Sequence, residues 1–355
     1  MTLSGRPRRV EAGLTTGNRV NTRRWGAYAA TLACGLAFAT AGQAQINEHA
    51  FRFATAGAAG HPIVAGGEKW AELVSQKSGG KMTVKIFANG VLGGDLQVLS
   101  AVQDGTIDFT AMNSGILQTR SKEFAIFDFP FMFNDAKEAD AILDGAFGKK
   151  LADLLPAKGL VQLAYWELGF RELTNSKRMI NKADDIVGLK LRVIQSPIYL
   201  ETFNALGAVS IPMPFTEVYI ALGTKLIDGQ ENPYSVIETS KFNEVQKFLT
   251  VGNHTYNPQS LLASKKKWDA LTKDEQRLLL STAAEARTWQ RQNTRAMAET
   301  SLANLKKTMQ VSVLPPEEIA IIRGRIKPVI DKFSASVGPE LVKELQAELE
   351  KGRRK

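Results

Sequence analysis

The chain has 355 residues, a formal net charge of +9 and a single cysteine, Cys34. One cysteine excludes an intramolecular disulfide, and this length exceeds the usual size of a single hydrophobic core, so two lobes are expected. The basic residues form no stripe with interleaved aromatic side chains, which argues against nucleic acid as a partner.

The first 44 residues have the pattern of a secretory signal peptide. Six arginines precede an apolar run from Trp25 to Ala41, and small residues before Gln45 suggest cleavage at that point. Removal of this segment lowers the net charge from +9 to +4 and removes Cys34, so no thiol remains for redox or nucleophilic chemistry. We expect ordinary secretion, with a twin-arginine route and a lipid anchor at Cys34 as the alternatives.

Strands and helices are predicted to alternate from the start of the mature chain. A strand at 51–55 is followed by a helix from Pro62 to Gly79, a strand at 82–86, a helix at 96–104 and a strand at 107–111. A helix from Ala139 to Leu155 and an apolar strand at 160–166 then complete one α/β lobe.

A second series of strands and helices is predicted to begin near Gly169. Its elements are the strand that contains Arg192, a helix at 199–206, a helix at 218–222 and a short strand and turn at 227–233. This second series predicts a second α/β lobe.

Residues 273–310 contain neither glycine nor proline and follow a capping box formed by Thr272 and Glu275. These features predict one long helix, which would be longer than either lobe and would therefore lie across both. The alternative is two helices that are broken near Thr294 or Thr300.

The sequence lacks the patterns that are typical of enzyme active sites. It has no G-x-S-x-G elbow, no H-E-x-x-H, no Rossmann glycine fingerprint and no P-loop. The histidines, His49, His61 and His254, have no carboxylate or second histidine at metal-ligand spacing. We therefore expect a protein that is not an enzyme and that has no cofactor and no metal.

Two arginines are the candidates for ligand binding. Arg192 projects from one face of a strand whose other face is apolar, and where both sheet faces are covered its guanidinium needs an anionic partner. Arg171 follows the strand that leaves the first lobe, so both guanidiniums should lie near one cleft and could bind a carboxylate bidentately. The alternative is that each arginine pairs with an internal acid such as Glu167, Glu217 or Glu231.

Four motifs occur in order over the mature chain, at 166–177, 188–193, 212–222 and 228–233. Together they resemble the solute-binding proteins of tripartite ATP-independent periplasmic (TRAP) transporters, the DctP-like family. The resemblance implies an α/β, two-lobed periplasmic-binding-protein fold with a hinge and a long helix spanning both lobes. Such receptors close on an organic acid and deliver it to a membrane permease that is driven by an ion gradient.

The lobes should be discontinuous, because the long helix has to return to the first lobe after the second. The expected organisation is a signal peptide at 1–44, lobe I at 45–168 and 256–292, and lobe II at 169–255 and 293–355.

The resemblance also implies roles for particular side chains. Arg192 would be the principal carboxylate clamp and Arg171 a second donor, and the other expected contacts are an amide from Asn232, an apolar wall from Phe215, and first-lobe contacts from Thr55, Asn113 and His61. For three of these a structural role is the alternative: core packing for Phe215, turn formation for Asn232 and helix capping for His61. The sialic-acid branch of the family has asparagine at the position of Thr55 and glutamate at that of Asn113, so sialic acid is not expected here.

The sequence thus predicts a periplasmic receptor that captures a small organic carboxylate between two lobes. A C4-dicarboxylate and a sugar acid both fit the residues. The expected partners are the ligand and TRAP membrane permease subunits, with no nucleic acid, and the expected state is a monomer. A ligand receptor for a sensor kinase, and a secreted enzyme acting on an organic acid, are the alternatives.

Overall fold

The computed structural model describes residues 45–354, so the predicted signal peptide lies outside the described residues. The strands in this range are β1 (His49–Ala54), β2 (Met82–Phe87), β3 (Phe109–Asn113), β4 (Leu160–Asn175), β5 (Lys190–Val193), β6 (Val209–Pro212), β7 (Gly229–Asn232), β8 (Phe248–Ser264) and β9 (Gln310–Val313). The α-helices are α1 (Pro62–Lys77), α2 (Asp95–Asp104), α3 (Ala136–Asp144), α4 (Ala146–Ala152), α5 (Pro197–Ala205), α6 (Val218–Gly223), α7 (Tyr234–Thr239), α8 (Lys265–Trp268), α9 (Lys273–Thr308), α10 (Pro316–Val337) and α11 (Pro339–Arg353).

The strands form one mixed sheet in the order β2-β1-β3-β8-β4-β7-β5-β6, with β9 paired to β8. At one end β1 is parallel to β2 and β3, and at the other β5 is parallel to β6 and β7. The long strands β4 and β8 join these two parallel groups through antiparallel pairing. The result is a two-lobed α/β fold in which each parallel group, with its crossover helices, is the centre of one lobe.

Strand β4 is much longer than the sequence predicts. It was expected to end at Trp166, but it continues to Asn175 and pairs with β8 along its length. The register shifts between Glu167 and Gly169, where Gly169 has φ +109°. The glycine therefore forms a bulge within one continuous strand, and not a turn between two separate strands.

The helix predicted from Ala139 to Leu155 is in fact two helices, α3 and α4. Gly145 separates them in an extended conformation, and a Cβ at this position would lie 2.6 Å from the carbonyl oxygen of Ala141. The close backbone approach requires glycine, and the chain turns there between two short helices.

The long helix is confirmed as a single helix, α9, without a break at Thr294 or Thr300. Its 36 residues span about 54 Å, and the Thr272–Glu275 capping box closes its N-terminus. It packs on α1, on β4 and on α7. It therefore crosses both lobes.

The buried side of α9 is fixed by polar contacts as well as by packing. The indole of Trp70 in α1 donates to Thr282 at 3.1 Å. The buried amide of Gln290 bonds both the N–H and the C=O of Glu167 in β4, at 2.8 and 2.6 Å. These contacts tie the middle of the helix to the strand that joins the lobes.

The sequence interpretation assigned no structure to the chain end. Helix α10 buries Ile322, Ile326, Val329 and Phe333, whose spacing places them on one helical face. Among residues 45–354, no helix combines the length and the apolar character that a membrane span needs.

Candidate functional site

A cavity that is partly open to solvent lies between the two lobes. All of the sequence-predicted site residues line it: Thr55, His61, Asn113, Arg171, Arg192, Phe215 and Asn232. Their elements belong to both parallel groups and to β4, so the fold brings together side chains that are far apart in the sequence. Ligand contact by each of them stays a prediction.

Arg192 lies in the middle of β5, between the fully buried Leu191 and Val193, and its own exposed fraction is 3%. Its Nε and Nη2 donate to the carbonyl oxygen of Met213, at 3.0 and 2.8 Å. Among residues 45–354, no carboxylate oxygen lies within 4.0 Å of its guanidinium nitrogens. Burial lowers the pKa of Arg192 to about 10, which still leaves the side chain protonated at neutral pH.

Arg171 has a different environment, although it lines the same cavity. Its guanidinium is paired with the carboxylate of Glu231, and it also donates to Asn257 Oδ1 at 3.2 Å. His254 Nε2 lies 3.1 Å from the same carboxylate. Burial alone would raise the pKa of Glu231, but Arg171 and the hydrogen bond from His254 hold it below its usual value. Arg171 is thus paired with an internal acid, as the alternative interpretation of the sequence proposed.

The first lobe presents three polar side chains to the cavity. His61 is the N-cap of α1, where its Nδ1 accepts a hydrogen bond from the N–H of Ile63 at 3.2 Å. Burial lowers the pKa of His61 to about 4, so the ring is neutral at pH 7 and its proton lies on Nε2. Thr55 Oγ1 lies 3.5 Å from the carbonyl oxygen of Ala111.

Asn113 completes this face from the end of β3. Its Oδ1 accepts from the N–H of Gly115 at 2.6 Å, whereas its buried Nδ2 has no hydrogen-bond partner in the described part of the chain. A buried amide donor without a partner is costly, so this atom is available to a ligand oxygen.

Phe215 and Asn232 contribute the second-lobe wall. The Phe215 ring lies 6.0 Å from the Arg192 guanidinium and meets the His61 ring edge to face at 5.9 Å, which is a contact across the cleft. Asn232 is the last residue of β7, and its Nδ2 donates to Gln230 Oε1 at 2.6 Å.

The sequence interpretation did not include several residues that line the cavity. The polar ones are Asp95, Asn257 and Gln259. Asp95 is the first residue of α2, and burial raises its pKa to about 6, although the charge of Arg192 acts in the opposite direction. The Nδ2 of Asn257 is buried and has no partner among residues 45–354.

No residue-specific signal would have identified these side chains. Asp95 follows Gly93-Gly94 and reads as an ordinary charged residue in a first helical turn. Asn257 and Gln259 belong to β8, which was not predicted. The described residues contain no cluster of metal-ligating side chains, and neither a metal nor a cofactor was expected.

Known proteins resemble this chain in both sequence and fold. Residues 53–336 match the family described as bacterial extracellular solute-binding protein, family 7 (DctP). A crystal structure of the sugar acid binding protein DctPAm from Advenella mimigardefordensis in complex with galactonate is 44% identical, with a TM-score of 0.85 over 86% of this chain and 99% of that one.

Two curated relatives differ in the solute that their names give. The 2,3-diketo-L-gulonate-binding periplasmic protein YiaO of Escherichia coli is 40% identical over 63% of this chain and 68% of its own length. The C4-dicarboxylate-binding periplasmic protein DctP of Rhodobacter capsulatus is 33% identical over 81% of this chain and 86% of its own length. These relatives are binding proteins and not enzymes, which removes the secreted-enzyme alternative. The chain therefore belongs to the DctP family, the periplasmic solute-binding proteins of TRAP transporters.

Proposed function

We propose that this protein captures a small organic carboxylate, either a C4-dicarboxylate or a sugar acid, in the cavity between its lobes and delivers it to a TRAP membrane permease. The observation that carries the proposal is Arg192, a buried cation whose hydrogen bonds go only to the Met213 carbonyl in the described chain. A buried charge is retained at a large desolvation cost, which an anionic ligand in the cavity would offset.

Arg192 has the geometry of a carboxylate clamp. Two of its five N–H donors, on Nε and Nη2, hold the guanidinium against the Met213 carbonyl, which fixes its plane, and the second Nη2–H and both Nη1–H donors remain for a ligand. Guanidinium binds carboxylate with two parallel hydrogen bonds, which gives both orientation and affinity. Because β5 is held in the sheet on both sides, the clamp is positioned before the ligand arrives.

Arg171 plays a smaller part in this proposal than the sequence suggested. Most of its N–H donors go to Glu231 and Asn257, so it can offer a ligand one Nη1–H but not an uncompensated charge. Thr55, His61, Asn113 and Asn232 would contact the rest of the ligand, with Phe215 as the apolar wall.

Lobe closure would occur around β4 and β8. We place lobe I at 45–168 and 256–292 and lobe II at 169–255 and 293–355, so the chain changes lobe at the Gly169 bulge. The β4–β8 register is irregular there and again between Arg171 and Leu173, and such irregular positions absorb the change in backbone angles during a hinge motion. The contact between His61 and Phe215 would then belong to the closed state.

Export and delivery complete the proposal. Residues 1–44 would direct the chain to the periplasm and be removed, and the mature protein would act as a monomer. Its partner would be the permease subunits, while a sensor kinase as recipient is the remaining alternative. Co-purification with TRAP permease subunits or with a sensor kinase would separate these two partners.

The test is ligand binding by protein exported from the full-length chain, purified from the periplasm, and unfolded and refolded to remove bound solute. A thermal-shift screen across C4-dicarboxylates, keto acids and sugar acids should reveal at least one stabilising carboxylate, because a ligand at 100 times its Kd adds about 2.7 kcal/mol. If no carboxylate shifts the melting temperature or gives heat in calorimetry, the proposal is wrong.

The Arg192 clamp is tested with the ligand that the screen identifies. Arg192→Ala should weaken binding by about 2–5 kcal/mol, the range for loss of one member of a buried charge pair. The matched control is Arg325→Ala, since Arg325 lies on α10, pairs with the exposed Asp184 and does not line the cavity. An Arg192→Ala affinity within about threefold of the parent would exclude the clamp.

A further inference from the structure

The formal charges of the titratable side chains that line the cavity, with the Glu231 charge that compensates Arg171, sum to nearly zero before a ligand binds. The titratable residues that line it are His61, Asp95, Arg171 and Arg192. His61 is neutral, and the charge of Arg171 is compensated by Glu231. One cation, Arg192, therefore remains to bind an anion, and one acid, Asp95, faces the same space.

Asp95 is an acid without a structural partner. In the part of the chain that the structure describes, its carboxylate makes no hydrogen bond, and no basic nitrogen lies within 4.0 Å of it. With a pKa of about 6 it is mostly ionised at pH 7. An ionised carboxylate in a cavity wall can only accept hydrogen bonds, so a ligand that displaces water from it must supply donors.

The chain segment before Asp95 holds this carboxylate at the junction of the lobes. Gly90 and Gly93 have φ values of +64° and +114°, and a Cβ on Gly90 would lie 2.4 Å from Thr216 Cγ2. The loop therefore lies directly against the second-lobe segment that carries Phe215. Asp95 thus follows a loop that packs against the second lobe, and it lines the cavity between the lobes.

Two uncharged amide groups that can donate hydrogen bonds line the same cavity as Asp95. The Nδ2 atoms of Asn113 and Asn257 are buried and unpartnered among residues 45–354, and both residues line the cavity. An amide N–H suits a hydroxyl oxygen, while the same hydroxyl can donate its hydrogen to Asp95. A second carboxylate could accept from the amides, but it would offer Asp95 no hydrogen and would add a like charge.

From this arrangement, and resting on the proposed function, we infer that the ligand is a polyhydroxylated acid with one carboxylate, of the aldonate type. Arg192 binds its carboxylate, and Asp95 is the specificity-determining residue that accepts hydrogen bonds from its hydroxyls and excludes dicarboxylates. This inference selects the sugar acids over the C4-dicarboxylates, the two ligand classes that the proposed function leaves open.

The test uses ligand pairs that differ only at the terminal carbon, where one member has a second carboxylate. Galactonate and galactarate, and gluconate and glucarate, share their carbon skeleton and ring-free hydroxyls, but the second member of each pair has a carboxylate in place of the terminal CH₂OH. Calorimetry on the refolded periplasmic protein at pH 7.5 should show that the better-binding aldonate exceeds its aldarate, and also succinate, by about 100-fold or more, because like-charge contacts in a binding site cost several kcal/mol.

Asp95→Asn should reduce this preference at least tenfold, by weakening the aldonate and strengthening the aldarate. The control is Asp104→Asn, the same change at the exposed far end of α2, which should leave the ratio unchanged. If Asp95 were only a counter-charge for Arg192, Asp95→Asn would strengthen the binding of the aldonate as well as that of the aldarate, and the inference would be wrong.

The wild-type ratio tests the inference even if Asp95→Asn does not fold. Aldarate or succinate binding as tight as aldonate binding, with dependence on Arg192, would overturn the inference and leave the proposed function intact. Absence of binding by every acid in this panel and in the wider thermal-shift screen would instead overturn the proposed function.

Discussion

Arg171 and Glu231 form a fully buried ion pair, with exposed side-chain fractions of 1% and 0%. The pair is held further by Asn257 and by His254, which lies 3.1 Å from the Glu231 carboxylate. Arg192, on a neighbouring part of the same cavity wall, has no equivalent acid in the described chain. Two arginines that look alike in the sequence therefore have different environments: Arg171 is paired with an internal acid, and Arg192 has no such pair among residues 45–354.

The Arg171–Glu231 pair should be essential for stability. Glu231→Gln leaves the Arg171 guanidinium buried without its counter-charge, and we expect a loss of about 3–5 kcal/mol in the free energy of unfolding. Urea denaturation measures this loss. Adding Arg171→Met to Glu231→Gln should recover part of it, because the unpaired charge is then absent.

The control is Asp153→Asn, which removes an exposed pair with Lys149 and should cost less than about 1 kcal/mol. Equal effects of Glu231→Gln and Asp153→Asn would contradict the assignment.

A second prediction concerns the shape of the clamp and not only its charge. Arg192→Lys keeps a cation but loses the planar pair of donors and the two hydrogen bonds to Met213 that orient the group. We expect ligand affinity to fall at least about tenfold, which corresponds to 1.4 kcal/mol. Titration calorimetry provides the affinity, and Arg325→Lys on the surface is the matched control. Parent-like binding by Arg192→Lys would mean that a point charge is sufficient.

A third prediction concerns pH. Burial raises the pKa of Asp128 from 3.8 to about 7, against the effect of the hydrogen bond from Ser196. Because the pKa of Asp128 is higher in the folded state than in the unfolded state, the folded state binds the proton of this carboxyl more tightly. The contribution of Asp128 to stability is therefore greatest below pH 4 and is lost as the pH rises through 7.

Asp128→Asn removes this titration, since asparagine carries no proton in this range. Between pH 5 and pH 8 the variant should gain roughly 1–3 kcal/mol of unfolding free energy relative to the parent. Other acids with raised pKa values are common to both proteins and cancel in the comparison. Denaturation curves at the two pH values give the difference, and a difference that is independent of pH would show that Asp128 is ionised in the folded protein throughout.

The fourth prediction tests how closely α1 approaches the long helix α9. A Cβ on Gly66 would lie 2.7 Å from Gln290 Cγ and 3.1 Å from the Trp166 ring. Gln290 cannot move aside freely, because its amide bonds the backbone of Glu167 on both sides. Gly66→Ala should therefore destabilise the protein by about 1–3 kcal/mol, as overpacking does. Gly324→Ala in α10 is the control, since no atom lies within 4 Å of its Cβ position and it should be neutral or stabilising by up to about 1 kcal/mol.

The features that the sequence predicted correctly depend on near neighbours in the chain. The uninterrupted helix α9 follows from residue propensities and from the Thr272–Glu275 box at its start. The inward position of Arg192 follows from alternation along β5. Strand β8 was missed because its middle is polar and contains Pro258, a residue that argues against an internal strand.

By itself, the sequence determined the alternation of strands and helices, the long helix and the positive charge on the second-lobe strand, because each is encoded in local periodicity and residue type. Only the tertiary structure decided which acid neutralises Arg171, that Arg192 has no carboxylate within 4.0 Å in the described part of the chain, and that Asp95 joins the cavity from a distant loop. Strand pairing and burial bring those groups together across 60 or more residues, and the electrostatic environment of a side chain depends on these spatial neighbours and not on its neighbours in the chain.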